Sequence, residues 1–157
     1  MQLSWLAGLR AGEISALRIA DVIDVDGHVR SEIQLKAEQT KGAKARTVLL
    51  NSQLQSEIAI YVNTLNVHDR DAALITSKTG KRFSANGLCQ VMLHIYDKAG
   101  LDKATSHSGR RTFITTLAHK GVNVRVLAAL AGHSNISTTQ RYIDLNENVM
   151  RAAVELI

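Results

Sequence analysis

The stretch from Arg30 to Leu50 leaves the least freedom in how this chain can fold. Two short runs, RSEIQLKA at residues 30–37 and ARTVLL at residues 45–50, have the β-branched content and alternation of half-buried strands. Between them lies EQTKGAK, whose Lys41-Gly42 pair supplies a turn residue. The spacing predicts a β-hairpin with Lys41 at its tip. Elsewhere apolar residues recur at helical spacing, so this hairpin is the sheet. The expected fold is mainly α with a small antiparallel β-sheet, an α+β arrangement.

Helices are expected at residues 13–20, 52–65, 85–99, 108–120, 123–131 and 137–144, with a last short one from residue 147. Gly100, Gly121 and Gly132 each follow an apolar run, where helix C-caps place glycine. Proline is absent. Ordinary usage of about 5% would supply roughly eight, so glycine alone punctuates these helices. No repeat, linker or low-complexity segment interrupts the 157 residues, which suit one domain, residues 1–157. The opening MQLSWLAGLR has no basic residues before its apolar run, and no stretch approaches the roughly eighteen apolar residues of a membrane span. Cys89, the only cysteine, cannot form an internal disulfide; it reads as a small buried thiol, and a cytoplasmic location follows.

Charge is distributed unevenly. Residues 1–71 carry eight Lys/Arg against nine Asp/Glu, whereas residues 72–142 carry ten against two. A solvated basic face is the plain explanation, but so one-sided an excess favours a polyanionic partner, with nucleic acid first. Only six aromatic residues are present, too few to stack many unpaired bases, so a duplex backbone suits the chain better than a single strand.

Several polar residues have no obvious structural role in this pattern. They are Arg10, Lys41 on the hairpin tip, His107 and Arg110 one turn apart, His133 after Gly132, and Tyr142 on the following helix. Each alone has an ordinary reading as surface, cap or packing residue. Metal binding by His107 and His133 lacks a third ligand at suitable spacing, and a serine hydrolase lacks its Gly-x-Ser-x-Gly elbow. Taken in order, however, AGLRAGEISAL, TKGAKARTVLL, SHSGRRTFITTLAHKG and LAGHSNISTTQRY closely resemble the catalytic domain of the tyrosine recombinase (phage integrase) family. The match runs over roughly residues 3–145, with His107-x-x-Arg110, Gly132-His133 and a tyrosine nine residues beyond that histidine.

The resemblance implies the family's catalytic-domain fold and a catalytic set of Arg10, Lys41, His107, Arg110, His133 and Tyr142, with Glu13 supporting Arg10. It implies attack of the Tyr142 hydroxyl on a phosphodiester of double-stranded DNA, giving a 3′-phosphotyrosine and a free 5′-hydroxyl. Forked donors from Arg10 and Arg110, with His133, would meet the charge gathering on the non-bridging oxygens. Lys41 would protonate the leaving oxygen, and His107 would handle the tyrosine proton. The scheme needs no cofactor and no metal. Family subunits work as tetramers on DNA, so self-association is expected too.

Two departures stand out. Arg111 occupies a position where many members have a second histidine, and full recombinases place a separate helical DNA-binding domain before the first arginine, whereas Arg10 is the tenth residue here, as expected of either a fragment or a reduced member. The terminal NENVMRAAVELI resembles the segment by which family subunits dock into one another, and its Val149, Ala152, Ala153 and Leu156 stripe suits a core equally well. A type IB topoisomerase-like enzyme would share the chemistry, and a non-catalytic DNA-binding module would share the fold.

Overall fold

Short helices open the chain, and the residues that stop them decide where the polar groups sit. The computed structural model describes residues 1–65, 69–143, 150–151 and 154–155. Helix α1 (Gln2–Ala7) ends on Gly8 at φ 65°, a left-handed conformation that a side chain resists. A Cβ there would also lie 2.7 Å from the Phe113 ring, so glycine is required twice over.

Helices α2 (Ala11–Ala16) and α3 (Ile19–Val22) replace the single helix predicted at residues 13–20. The chain turns extended at Leu17 and Arg18 because two carboxylates reach back to start new helices. Glu13 accepts the Arg10 N–H at 2.8 Å, and Asp21 accepts the Arg18 N–H at 2.8 Å. The side chain of Arg82 donates to the carbonyls of Ser15 and Ala16, at 3.2 and 2.8 Å, which satisfies the open end of α2. Leu17 itself is fully buried.

Strands β1 (Glu32–Leu35) and β2 (Arg46–Leu49) form the expected antiparallel pair, with Glu32 opposite Leu49 and Leu35 opposite Arg46. Ile33, Leu35 and Val48 point into the core while their neighbours face outward. Both strands are shorter than predicted. Residues Ala37–Gln39 coil into a 3₁₀ turn, where the Gln39 side chain accepts the Lys36 N–H at 2.8 Å. The left-handed residue of the tip is Ala43, at φ 47°, rather than Gly42. Thr40 fixes the tip by accepting the Lys44 N–H at 3.1 Å, with its hydroxyl 2.9 Å from the Lys44 carbonyl oxygen.

The remaining helices lie close to their predicted spans: α4 (Ser52–Thr64), α5 (Ala85–Lys98), α6 (Ser108–His119), α7 (Val124–Ala131) and α8 (Ile136–Gln140). Asn51, Ser84, Asn123 and Asn135 cap α4, α5, α7 and α8 through their side-chain oxygens. Helix α8 stops four residues short of the predicted end at residue 144, so Tyr142 lies in a turn after the helix. The predicted helix from residue 147, with Val149, Ala152, Ala153 and Leu156, lies largely outside the described residues; Met150, Arg151 and Val154 are helical.

The chain divides into two compact units, Met1–Phe113 and Ile114–Ile157. The first holds a core of Leu3, Leu9, Leu17, Ile33, Leu35, Leu54 and Leu74 with their neighbours, against which Tyr61, Tyr96 and Cys89 are partly buried. Ile114, Leu127, Ala131 and Thr139 are the most buried residues described in the second. No helix among the described residues is long and apolar enough to cross a membrane.

Candidate active site

Arg10 caps α2, and that position sets its side chain. The Glu13 carboxylate, 1% exposed, takes the Arg10 N–H on Oε2 and Arg10 Nη1 on Oε1, both at 2.8 Å. A lone buried carboxylate would be too costly to stay charged. Burial pushes the Glu13 pKa upward, but the hydrogen bond from Arg46 and the bonds and charge of Arg10 outweigh it and hold the group below its ordinary value. Glu13 is therefore ionised at neutral pH.

Arg46 is the residue that sequence reasoning missed. Its Nη2 lies 2.9 Å and its Nε 3.4 Å from the two Glu13 oxygens. A signal was available: Arg46 shares the inward parity of Val48 and Leu50 along the strand, and a charged residue there needs a buried counter-charge. Lys41 lies on the exposed hairpin tip, as predicted.

His107 precedes α6, and its carbonyl accepts the Arg111 N–H at 2.9 Å, closing the first turn. Its side chain is exposed, whereas Arg110, one turn on, is only 5% exposed. Arg110 Nη1 donates to the carbonyl of Gly8, the left-handed cap of α1, two residues before Arg10. The Gly8 turn thus ties the segment carrying Arg10 to the helix carrying Arg110. Close packing helps: a Cβ on Gly109 would sit 3.0 Å from Ser4 Oγ on α1.

In the second unit, α7 ends in a Schellman turn. Gly132, at φ 62°, donates to the Ala129 carbonyl at 3.0 Å, and the His133 N–H donates to the Ala128 carbonyl at 2.9 Å. His133 Nδ1 lies 2.8 Å from the hydroxyl oxygen of the fully buried Thr139, which fixes the rotation of the ring. The Tyr142 ring stacks near the imidazole, with centroids 6.3 Å apart and planes 19° from parallel. The helix break at Gly132 and the short α8 bring imidazole and phenol side by side. Thr139 also escaped sequence reasoning, since a helical Thr carries no signal of its own.

Asp24, Asp26 and His28 cluster with potential ligand atoms within 4.8 Å of one another. Asp24 Oδ1 already accepts the N–H groups of Asp26 and His28, at 3.0 and 2.8 Å, so the cluster is accounted for as a turn.

The sequence profile of the phage integrase family matches residues 1–149. The chain belongs to the phage integrase family. Tyrosine recombinase XerA of Thermococcus kodakarensis is 34% identical over 152 residues, which cover 95% of this chain and 51% of that protein. Tyrosine recombinase XerD of Staphylococcus epidermidis is 30% identical over 156 residues, covering 96% and 50%. A crystal structure of XerA recombinase superposes with a TM-score of 0.76 at 26% identity, over 99% of this chain and 55% of that one. XerH bound to a palindromic difH substrate, in a post-cleavage complex, gives a TM-score of 0.70 at 21% identity over 98% of this chain and 43% of that one, a likeness of fold. The chain spans about half the length of the curated relatives it matches. Within the phage integrase fold, then, the described residues of this sequence are mainly helical with a two-stranded sheet.

Proposed function

We propose that this chain is the catalytic part of a tyrosine-type site-specific recombinase, cleaving and rejoining double-stranded DNA through a 3′-phosphotyrosine intermediate. Tyr142 Oη attacks the phosphorus and passes its proton to His107. The bond to the 5′-oxygen breaks, and Lys41 gives that oxygen a proton. Arg10, Arg110 and His133 donate to the non-bridging oxygens, where negative charge grows in the transition state; one such donor is worth about 3 to 4 kcal/mol. Rejoining is the same step reversed by a 5′-hydroxyl, so bond energy is conserved and no nucleotide cofactor enters. The arginines carry the charge that a metal pair carries in other phosphoryl-transfer enzymes. In this reading the working assembly is a tetramer on duplex DNA, in the cytoplasm at the nucleoid.

The observation that carries the reading is the pairing of His133 with Tyr142, held together by the Gly132 turn and Thr139. The test is covalent trapping. Incubated with a pool of nicked duplexes with randomised cores, from which the short 5′-hydroxyl strand diffuses away, the protein should leave a denaturation-resistant protein–DNA band. No such band at any enriched sequence would overturn the proposal.

A further inference from the structure

Resting on that reading, we propose that Arg46 is a positioning residue for the cleavage step: from the foot of the Lys41 hairpin it grips Glu13 and so locks Arg10 and the hairpin into one frame. Four donors share one carboxylate. Oε1 receives Arg10 Nη1 at 2.8 Å and lies 3.4 Å from Arg46 Nε, while Oε2 receives the Arg10 N–H at 2.8 Å and Arg46 Nη2 at 2.9 Å. Glu13 thereby commits Arg10 Nη1, and in this proposal the other edge of that guanidinium, Nε and Nη2, is the one that would meet a phosphate. Arg46 is 12% exposed and turned onto Glu13, and the proposal routes its effect on Arg10 through that carboxylate.

The hairpin has a second tie. Gln39, on the opposite arm of the tip, lies 3.3 Å from the Ala16 carbonyl and 2.9 Å from Asp21 Oδ2 through its Nε2. Both feet of the loop that carries Lys41 are therefore fastened to α2, Arg46 at its first turn and Gln39 at its last. Arg10 is the N-cap of that same helix. A displacement of the hairpin is a displacement of α2, and the residue for the leaving oxygen and a residue for the phosphate keep their spacing. Arginine suits this position because its planar fork spans both carboxylate oxygens, which an ammonium cannot do.

The experiment compares wild type, R46Q, R46K, E13Q and E13Q/R46Q in trapping on a sequence enriched from the nicked pool. Rates are taken at saturating DNA and expressed per folded molecule from circular dichroism. R46Q should trap DNA about 10²-fold more slowly, the scale of a small misplacement of catalytic groups, with the half-saturating DNA concentration unchanged. R46K, which keeps the charge and guards against an unfolded R46Q, should fold like wild type and still be slow. The double variant should be no slower than E13Q, because Arg46 works through Glu13. Wild-type rates in R46Q or R46K, or a double variant slowed by the product of the two single effects, would overturn the proposal. A wild-type protein that traps nothing overturns the recombinase reading, and this one with it.

Discussion

Tyr142 differs from the other two tyrosines in what holds it. Tyr61 donates its hydroxyl to the Leu74 carbonyl at 3.0 Å, and burial raises the pKa of both Tyr61 and Tyr96. Tyr142 stands partly exposed against His133. Tyr142→Phe should therefore abolish covalent trapping while leaving the thermal midpoint nearly unchanged. Tyr61→Phe should cost about 0.5 to 1.5 kcal/mol for its hydrogen bond and leave trapping intact. Trapping that survives in Tyr142→Phe would move the nucleophile elsewhere. Glu13 sets a second test, on stability. Its folded pKa is lowered, so the folded state binds this proton more weakly than the unfolded chain; its stabilisation is complete above the ordinary carboxylate pKa and fades as the pH falls through the folded value. Glu13→Gln should be less stable by about 3 kcal/mol at neutral pH, as when one partner of a buried ion pair is removed. The gap to wild type should narrow on acidification. A gap independent of pH would mean that the charge of Glu13 is not what stabilises the fold.

At the scale of elements, the legible parts were those written in apolar period and side-chain caps. Asn51, Ser84, Asn123 and Asn135 are ordinary N-cap types, and the helices they start lie close to prediction. The break at Leu17 and Arg18 was not legible, because α2 and α3 are capped by arginines, whose side chains cannot accept a hydrogen bond. The carboxylates three residues on do the capping instead. Nor does any glycine or proline mark the end of α8, so the sequence pattern runs on past Tyr142 while the helix stops before it. The candidate site was readable as a series of residue types through its resemblance to a family; Arg46 left only the trace of its inward strand parity, and Thr139 emerges only from its contact with His133. The turn after α1 gives this scale its prediction. Gly8→Ala would place a Cβ 2.7 Å from Phe113 at φ 65°, and its carbonyl is the acceptor for Arg110. Left-handed strain alone costs about 1 to 2 kcal/mol. The variant should lose more than that in chemical denaturation. Where it remains folded, it should trap DNA more slowly than wild type, because Arg110 is displaced. Unchanged stability would show that the α1–α6 contact yields freely.

Across the whole molecule the relevant quantity is charge facing solvent. The segment 72–142 carries ten Lys/Arg against two Asp/Glu, and of those ten cations only Arg110 is buried. Nine exposed cations, spread along a segment with few acids to neutralise them, are suited to contact phosphates, and phosphate contacts release counterions from a duplex. Each contact contributes about −0.9 to the slope of log K against log salt, so this segment on its own makes the slope no steeper than about −8. Binding to a short duplex of arbitrary sequence, measured by fluorescence anisotropy from low to physiological salt, should weaken along a straight log-log line. If six or more contacts form, the loss between 50 and 200 mM salt is about 10³-fold or greater. Unlabelled duplexes of unrelated sequence should compete almost equally, since phosphate contacts carry no sequence information. Replacing Lys78 and Lys81 together, both exposed, by glutamine should flatten the slope by up to about 2. A slope near zero would separate this basic segment from the DNA, and a slope that the double replacement leaves unchanged would remove Lys78 and Lys81 from the phosphate contacts.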